Sequence, residues 1–301
     1  MNGSNSNRPQ VSGSNRDYIG VAQPVRTRAL SPELIAAFTD ATGDKNPCYR
    51  ESGGVAPPMS VVIGTIAHAL GPLFQDEDFI GDRGRFLKLL HGEEDIRWFA
   101  PIRQDDVLHM TSTVVDLVDK SVGEIMELET EIRNAHELHL ATVKTGIVIR
   151  DPKPIEERQK GRERAPRAEP ALSAEATGTP VLTEWTIAPD QAKRYAQASG
   201  DFNPIHLDPA TAEAAGLKGV ILHGLCTMAF AQRSVIDELG GGEPARLRRL
   251  KVRFSRPVFL GDRLTCSLQP VAVEGHYRVS VQNQDGVVVL RDGVAEVDLS
   301  S

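Results

Sequence analysis

Hydrophobic and polar positions follow two different periods along the chain, in an order that occurs twice. In residues 59–74 and 224–239, apolar residues recur every three or four positions, which predicts two helices that each bury one broad face. Each predicted helix is followed by segments in which apolar and polar residues alternate, such as VLHMTSTVVDLV and LTCSLQPVAV. This alternation predicts antiparallel strands. A long helix gripped by a curved antiparallel sheet is an α+β arrangement.

The two series of elements match each other residue by residue. SPELIAAFTDATGDKNPCY, residues 31–49, aligns with APDQAKRYAQASGDFNPIH, residues 188–206, at a constant offset of 157. Pro32 and Pro189 fall on the same first helical turn, where a missing N–H is harmless. Further along, RWFAPIRQDDVL and RFSRPVFLGDRL match at an offset of 156 or 157. The sequence therefore predicts one fold that has been duplicated.

Two polar segments bound these repeats. Residues 1–16 are rich in Asn, Ser and Gly and show no period, which predicts a disordered tail. Residues 151–179 are charged, interrupted by proline and nearly free of large apolar side chains, as is typical of an interdomain linker. We therefore predict an N-terminal domain over residues 17–150 and a C-terminal domain over residues 180–301.

Composition and charge narrow the class of protein. With 301 residues, of which 40% are hydrophobic and 25% charged, the chain has the composition of a soluble globular protein. A net charge of -7 argues against nucleic acid as the main partner, because phosphate binding needs a basic face. The apolar runs are short, so we predict no membrane span and no signal peptide. Three widely spaced cysteines without a CxxC motif predict reduced thiols, and we expect a cytoplasmic protein.

One loop in the second repeat carries candidate chemistry. The stretch SGDFNPIHLD places Asp201 and His206 five positions apart, among glycine, asparagine and proline residues that disfavour a regular helix. A carboxylate and an imidazole in one tight loop suit proton transfer near neutral pH. Aspartate followed two positions later by asparagine is also common in turns that bond only to their own backbone. The pattern alone leaves a catalytic and a structural interpretation open.

The residues around this loop resemble a known family. Tyr195, the SGDxNPIHxD motif and the ILHG stretch that ends at Gly224 look like the signature of the MaoC-like, (R)-specific enoyl-CoA hydratases, with Ala214 and Gly216 at the expected spacing. The resemblance is close over residues 188–262. It implies a hot-dog fold, in which a long central helix is wrapped by a curved antiparallel sheet. For the whole chain it implies a tandem, or double, hot-dog fold.

Single-chain double hot-dog members of this family carry one working half and one degenerate half. The first half here is similar to the degenerate kind, because it keeps Asp44 and Asn46 but has Tyr49 at the place of His206. Its Pro58–Met59 pair occupies roughly the place of His223 and Gly224. The resemblance therefore implies a catalytic C-terminal domain, and a chain that imitates a dimer. Association into a homodimer of such chains stays open.

The same resemblance implies roles for individual residues. Asp201 and His206 would grip one water and exchange protons with it, with base and acid not assigned separately because coupled groups titrate as a pair. The Gly224 N–H, at the positive end of a helix, would be the oxyanion donor. Asn203 would orient the water or the loop. The implied reaction is hydration of a (2E)-enoyl-CoA to the (3R)-3-hydroxyacyl-CoA, or its reverse, and it needs no cofactor.

Other residues have weaker predicted roles. Ser199, His223 and Arg253 are predicted substrate contacts, although His223 is equally well explained as a histidine that supports the site from behind. Asp208 is predicted to be a surface or capping carboxylate. The basic run RLRRLKVR, which ends at Arg253, would meet the phosphates of CoA or form the solvated face of an edge strand. A metal site at His206, Asp208 and His223 uses legitimate ligand types, but their spacing matches no metal signature and we predict none.

Two alternatives to the hydratase remain at this point. A hot-dog thioesterase shares the fold and hydrolyses the thioester, and a non-catalytic acyl-binding protein would explain the decayed first half. The expected partner in every case is an acyl-CoA or acyl-carrier-protein thioester. Intact Asp201, Asn203, His206 and Gly224 favour the hydratase.

Overall fold

A computed structural model describes residues 13–51, 53–81, 83–150 and 169–300. Most of the predicted tail, and the linker as far as residue 168, lie outside the described residues. The last residues of the predicted tail are packed, because Ser14 is buried and donates hydrogen bonds to Glu124 from its N–H (3.0 Å) and from its hydroxyl (2.5 Å). The end of the predicted linker is packed too, since Ala171 is buried against Val271 and Val294.

Ten strands and eight α-helices make up most of the described chain. The strands are β1 (Arg26–Ala29), β2 (Leu89–Trp98), β3 (Val107–Lys120), β4 (Gly123–Arg133), β5 (His139–Ile149), β6 (Val181–Thr186), β7 (Leu247–Phe254), β8 (Arg263–Pro270), β9 (His276–Asn283) and β10 (Val288–Val297). The α-helices are α1 (Pro32–Thr42), α2 (Val62–Gly64), α3 (Gly71–Gln75), α4 (Glu77–Ile80), α5 (Pro170–Ser173), α6 (Gln191–Ser199), α7 (Pro209–Ala214) and α8 (Gly224–Glu238).

All ten strands form one antiparallel sheet in the order β1-β3-β4-β5-β2-β7-β10-β9-β8-β6. The first five strands, β1-β3-β4-β5-β2, belong to the first half, and their counterparts in the second half, β6-β8-β9-β10-β7, follow in the reverse order. The two halves join where β2 pairs with β7 at the middle of the sheet. Glu93 lies opposite Arg253 and Ile96 opposite Leu250. At the repeat offset of 157, Glu93 corresponds to Leu250 and Ile96 corresponds to Arg253, so the two pairs are equivalent. The β2–β7 register is therefore the one expected for two halves related by a pseudo-two-fold axis. The predicted double hot-dog fold is confirmed.

The two central helices differ in regularity. In the second half α8 is continuous over Gly224–Glu238, close to the predicted range. In the first half residues 58–75 form a 3-10 turn (Pro58–Val61), α2, a π-helix (Thr65–Leu70) and α3, instead of the single predicted helix. Pro72 explains the irregularity, because it has no N–H to donate to the carbonyl four residues earlier and its ring crowds that carbonyl.

The shorter helices α1 and α6 pack against each other where the two halves meet. Phe38 and Tyr195, which are counterparts in the repeat, contact each other with ring centroids 5.9 Å apart and planes inclined by 51°. Both rings are almost fully buried in an apolar core that takes side chains from both halves. Each half therefore completes the core of the other, as two chains do in a dimer.

In the part of the chain that the structure describes, none of the helices combines the length and the apolarity needed to cross a bilayer. The cytoplasmic location stays a prediction.

Candidate active site

The SGDFNPIH loop is shaped by hydrogen bonds among its own residues. Helix α6 ends at Ser199 and is capped by Gly200, whose φ of 80° lies in the left-handed region that glycine adopts without strain. The Asp201 carboxylate then accepts a hydrogen bond from Asn203 N–H at 3.1 Å. The Asn203 side chain in turn accepts one from Ile205 N–H at 3.3 Å and caps the 3-10 turn Pro204–His206. Each of these contacts spans two residues, so the motif folds this loop by itself.

Three polar side chains converge at this loop. One potential ligand or proton-transfer atom from each of Asp201, His206 and His223 lies within 4.8 Å of the other two. The loop supplies the first two residues, and His223 is the residue just before α8. The imidazole rings of His206 and His223 stack, with centroids 3.8 Å apart and planes inclined by 26°. The loop and the start of the central helix therefore form one cluster.

The hydrogen bonds of His206 define its tautomer. Its Nδ1 lies 2.9 Å from the Ile221 carbonyl, and a carbonyl only accepts, so Nδ1 carries the proton. Nε2 is then left as an acceptor. Burial lowers the pKa of His206 below its ordinary value, and the negative charge of Asp201 opposes this effect. The neutral ring therefore dominates at pH 7, with a lone pair free to take a proton.

His223 is neutral for a similar reason. Its Nε2 donates to the Asp201 carbonyl oxygen at 3.0 Å. Burial, together with the neighbouring His206, lowers its pKa to about 4. Its Nδ1 is buried and finds no hydrogen-bond partner among the described residues. His223 thus holds the backbone of Asp201 in place and supports the face of His206.

The first residue of α8 presents an open backbone amide. Among the described residues, the Gly224 N–H has no hydrogen-bond acceptor, as is usual for the first amides of a helix. A Cβ on Gly224 would lie 2.9 Å from two ring carbons of Phe254, so no other residue fits without displacing that ring. The partial positive charge of the helix N-terminus adds to the attraction for an anionic oxygen. Gly224 therefore has the properties of an oxyanion donor.

The other predicted residues fall into two groups. Ser199 is buried, and its hydroxyl donates to the Tyr195 carbonyl (2.8 Å) and accepts from Asp201 N–H (3.2 Å), so it braces the loop from inside. Arg253 is not brought to the cluster. It follows buried Val252 on β7 and points to the outer face of the sheet, within 4 Å of carboxylates of Glu93 and Asp292.

The basic run that ends at Arg253 lies on β7, which pairs with β2 and β10. The expectation of an edge strand is therefore wrong: the run lies at the centre of the sheet. Arg249 makes ion pairs of 2.7–3.0 Å with Asp95, Glu169 and Glu296, which belong to both halves. The run holds the two halves together on the outer face.

Asp208 is not part of the cluster formed by Asp201, His206 and His223. The Asp208 carboxylate, which the sequence grouped with the two histidines, instead caps α7 by accepting from Ala210 and Thr211 N–H. Each imidazole uses one ring nitrogen on a backbone carbonyl, His206 Nδ1 on Ile221 and His223 Nε2 on Asp201, and has one nitrogen left. Asp208 is thus the capping residue that the sequence predicted.

The equivalent place in the first half is closed. Tyr49 stands where the second half has His206, and it is buried. The Met59 N–H, at the start of the first central helix, donates to Oε1 of Gln232 on α8 at 2.7 Å. The amide that would correspond to Gly224 is therefore already bonded.

Two residues that the sequence did not single out lie behind the site. Glu94 is fully buried on β2 and bonds to His91, whose ring contacts Phe254 beside Gly224. Glu94 alternates in register with Ile96 and Trp98, so its side chain is on the same inward face of β2 as theirs. A charged residue at an inward position of a strand was the signal that could have found it.

These features define a class: a double hot-dog protein with an acid–base cluster in its second half. Residues 173–289 match the model of the MaoC-like domain, and residues 18–143 match the FAS1-like dehydratase domain region. The 3-hydroxyacyl-thioester dehydratase Y of Mycobacterium tuberculosis is 33% identical over 217 residues, covering 69% of this chain and 72% of that protein. The chain belongs to the MaoC-like dehydratase family, and it is an enzyme.

Other comparisons agree with this assignment. The mouse (Mus musculus) peroxisomal multifunctional enzyme type 2 is 27% identical over 297 residues, covering 88% of this chain. The chain spans only 39% of that longer protein. A MaoC-like dehydratase from Phytophthora capsici superposes with a TM-score of 0.79 over 95% of this chain and all of that one, at 24% identity. A Mycobacterium tuberculosis protein with a double hotdog fold superposes with a TM-score of 0.62 over 92% of this chain and 95% of that one, at 15% identity.

Proposed function

We propose that this protein is a hydro-lyase that adds water reversibly to a (2E)-enoyl-CoA thioester and yields the (3R)-3-hydroxyacyl-CoA. The observation that carries the proposal is the convergence of Asp201 and His206 beside a helix whose first N–H, that of Gly224, is open. Hydration of an enoyl thioester requires a group that takes a proton from water, a group that protonates C2 and a donor for the carbonyl oxygen. The cluster can supply all three.

The water would bind between the Asp201 carboxylate and Nε2 of His206, each of which can accept a hydrogen bond from it. One of its protons passes to this pair as its oxygen bonds to C3. The electrons of the C2–C3 double bond move toward the thioester carbonyl, and the pair then returns a proton to C2. The net change is addition of one hydroxyl group and one hydrogen, and the same steps run backwards in dehydration. The R configuration and the CoA carrier follow from the family resemblance.

The Gly224 N–H would bind the thioester oxygen as it gains negative charge. One such donor typically lowers a barrier by about 3 kcal/mol. Two contacts support this role. The Phe254 ring packs where a Cβ on Gly224 would lie, and Nε2–H of His223, the residue before Gly224, donates to the Asp201 carbonyl. The name of the relative from Mycobacterium tuberculosis, a 3-hydroxyacyl-thioester dehydratase, supports the same reaction class.

The proposal is tested by hydration of crotonyl-CoA and longer enoyl-CoA substrates, followed by loss of the enone absorbance and chiral analysis of the product. We expect (3R) product, and we expect Asp201→Asn and His206→Gln each to lower kcat by about 10²- to 10⁴-fold, because each removes proton transfer. Asp44→Asn, the same change at the equivalent position of the first loop, is the control and should keep the wild-type rate.

Three results would contradict the proposal. Unchanged rates in Asp201→Asn and His206→Gln would remove the mechanism. Release of free CoA with the enone absorbance intact would indicate a thioesterase. Tight binding of acyl thioesters without turnover at any chain length would indicate an acyl-binding protein.

A further inference from the structure

A buried carboxylate from the first half lies behind the candidate active site. The Glu94 side chain is 0% exposed and occupies an inward position of β2, the strand that joins the halves. Its Oε2 lies 2.9 Å from Nε2 of His91. Its Oε1 is buried and has no hydrogen-bond partner in the part of the chain that the structure describes. Burial of a carboxylate with incomplete hydrogen bonding costs stability.

That cost argues against a purely structural role for Glu94. The next inward positions of the same strand are Ile96 and Trp98, which pack the core without a buried charge. An apolar side chain at position 94 would satisfy packing equally well, since replacing buried charged groups by apolar ones is often neutral or stabilising. The carboxylate therefore calls for a role beyond packing.

His91 connects this carboxylate to the wall of the site. Its ring meets Phe254 edge to face, with centroids 4.7 Å apart and planes inclined by 64°. Two carbons of the Phe254 ring lie 2.9 Å from the position that a Cβ on Gly224 would take. A continuous series of contacts thus runs from Glu94 through His91 and Phe254 to the residue whose amide would bind the thioester oxygen.

Tyr195 provides a second connection between Glu94 and the candidate site. Burial raises the pKa of its phenol well above the ordinary value, and the negative charges around it, which include Asp201 and Glu94, add to this effect. The Tyr195 ring also lies 4.9 Å from the ring of His223. The carboxylate of the first half is thus within electrostatic range of the catalytic loop of the second.

We propose that Glu94 and His91 are a positioning pair, supplied by the first half, that holds Phe254 against Gly224 and so fixes where the Gly224 N–H meets the thioester carbonyl. The proposal rests on the hydratase function proposed above. The Glu94 carboxylate accepts from Nε2–H of His91 and sets the rotation of its ring, and the ring edge sets the position of Phe254. The first half thereby contributes to catalysis although its own loop has lost the histidine.

The test compares kcat and KM for enoyl-CoA hydration in four single variants of the full chain. We expect Glu94→Leu and His91→Leu to lower kcat by about 10- to 100-fold with KM little changed, because a small misplacement of a catalytic group has effects of this order. Glu94→Gln keeps an oxygen that accepts from His91 and should recover most of the rate. Glu131→Gln, an exposed glutamate on β4, is the control and should match the wild type.

A double variant adds a readout that a loss of stability alone would not move. If the pair acts through Phe254, Glu94→Leu should have little further effect on kcat in a Phe254→Leu background. Wild-type kcat in Glu94→Leu, a change in KM alone, or full additivity with Phe254→Leu would overturn the proposal. If Glu94→Leu fails to fold, the half-buried His91→Leu decides the question, alone and in the Phe254→Leu background.

The outcome separates this proposal from the one on which it rests. An active wild type that loses its rate in Asp201→Asn but keeps it in Glu94→Leu and His91→Leu refutes the positioning pair alone. A wild type that does not hydrate any enoyl-CoA refutes the hydratase function, and the positioning pair with it.

Discussion

The loops at residues 43–49 and 200–206 have nearly the same backbone and different chemistry. Asn46 has φ −57° and ψ 122°, and Asn203 has φ −56° and ψ 123°. In each loop the aspartate carboxylate accepts from the asparagine N–H at 3.1 Å, and the asparagine side chain caps a 3-10 turn. The GDxNP motif therefore specifies a backbone shape, and the shape alone does not make a site.

The first loop has become an anchor. The Asn46 side-chain amide donates to the Gly242 carbonyl at 2.7 Å, beyond the C-terminal end of α8, and Arg233 of α8 donates to the Gly43 carbonyl at 2.5 Å. The Met59 amide is taken by Gln232 of the same helix. The first half thus uses its loop and its helix-start amide, the counterparts of the proposed catalytic groups of the second half, to hold α8 in place.

The surroundings differ as well. The second loop is followed by α7 before the chain reaches His223, whereas the first runs directly to Pro58. Against the first loop lies a cavity of about 780 Å³ in whose lining acidic side chains outnumber basic ones: Glu51, Glu184, Asp237, Glu238 and Glu243 against Lys45 and Arg233. Such a lining repels the phosphates of a CoA thioester. The two loops thus share a backbone shape, and the side chains around them differ in a way that favours the proposed site in the second half.

After the substitutions of Asp201 and His206, the largest expected effect on kcat comes from the backbone amide at the start of the second central helix, because its counterpart in the first half is already hydrogen-bonded. Gly224→Ala places a Cβ against Phe254 and displaces the open amide, so we expect kcat to fall by about 100-fold, the effect typical of a lost oxyanion donor. Steady-state kinetics with crotonyl-CoA measures it. Gly219→Ala, where a Cβ meets no atom within 4 Å, is the control. A Gly224→Ala enzyme with wild-type kcat would rule out this amide as the donor.

Acidic pH should lower the free energy of unfolding through protonation of His223. Its pKa is about 4 in the folded state and about 6.5 in the unfolded chain, so its contribution is complete above pH 6.5 and is lost as the pH falls through about 4. We expect the free energy of unfolding to fall over this range by up to about 3 kcal/mol on account of this residue. Urea unfolding at several pH values should show a flatter dependence in His223→Gln. The exposed His136→Gln should keep the wild-type slope; equal slopes in both variants would contradict the expectation.

Asp44 of the first loop should respond to pH with the opposite sign. Burial raises its pKa from 3.8 to about 6, so its contribution is complete below about pH 4 and is lost as the pH rises through about 6. Asp44→Asn keeps the oxygen that accepts from Asn46 N–H and removes the buried charge. We expect a gain in the free energy of unfolding of about 1–2 kcal/mol at pH 7 that disappears near pH 4. The exposed Asp40→Asn should show no such pH-dependent gain, and a destabilised Asp44→Asn protein at pH 7 would refute this account.

The duplication, the fold class and the shape of both loops could be predicted from the amino-acid sequence alone. The offset of 157 reappears in the register of β2 against β7 and in the contact of Phe38 with Tyr195. These features were predictable because periodicity, helix caps and Gly/Asx/Pro turns act over a few residues, and a repeat compares the chain with itself. The resemblance placed Asp201, His206 and Gly224 in one motif for the same reason.

Which polar groups contact each other could be seen only in the folded chain. Gln232 accepts a hydrogen bond from the Met59 N–H, and the Asn46 side chain donates one to the Gly242 carbonyl. Glu94 lies behind Gly224 through the contacts of His91 and Phe254. In each case the residues are more than 100 positions apart in the sequence. The sequence does not show such pairs because they depend on strand register and on how α8 packs against the opposite half. Burial then sets the charge state of each group, as the neutral His223 and the raised pKa of Asp44 show, because desolvation depends on neighbours that only the folded chain brings together.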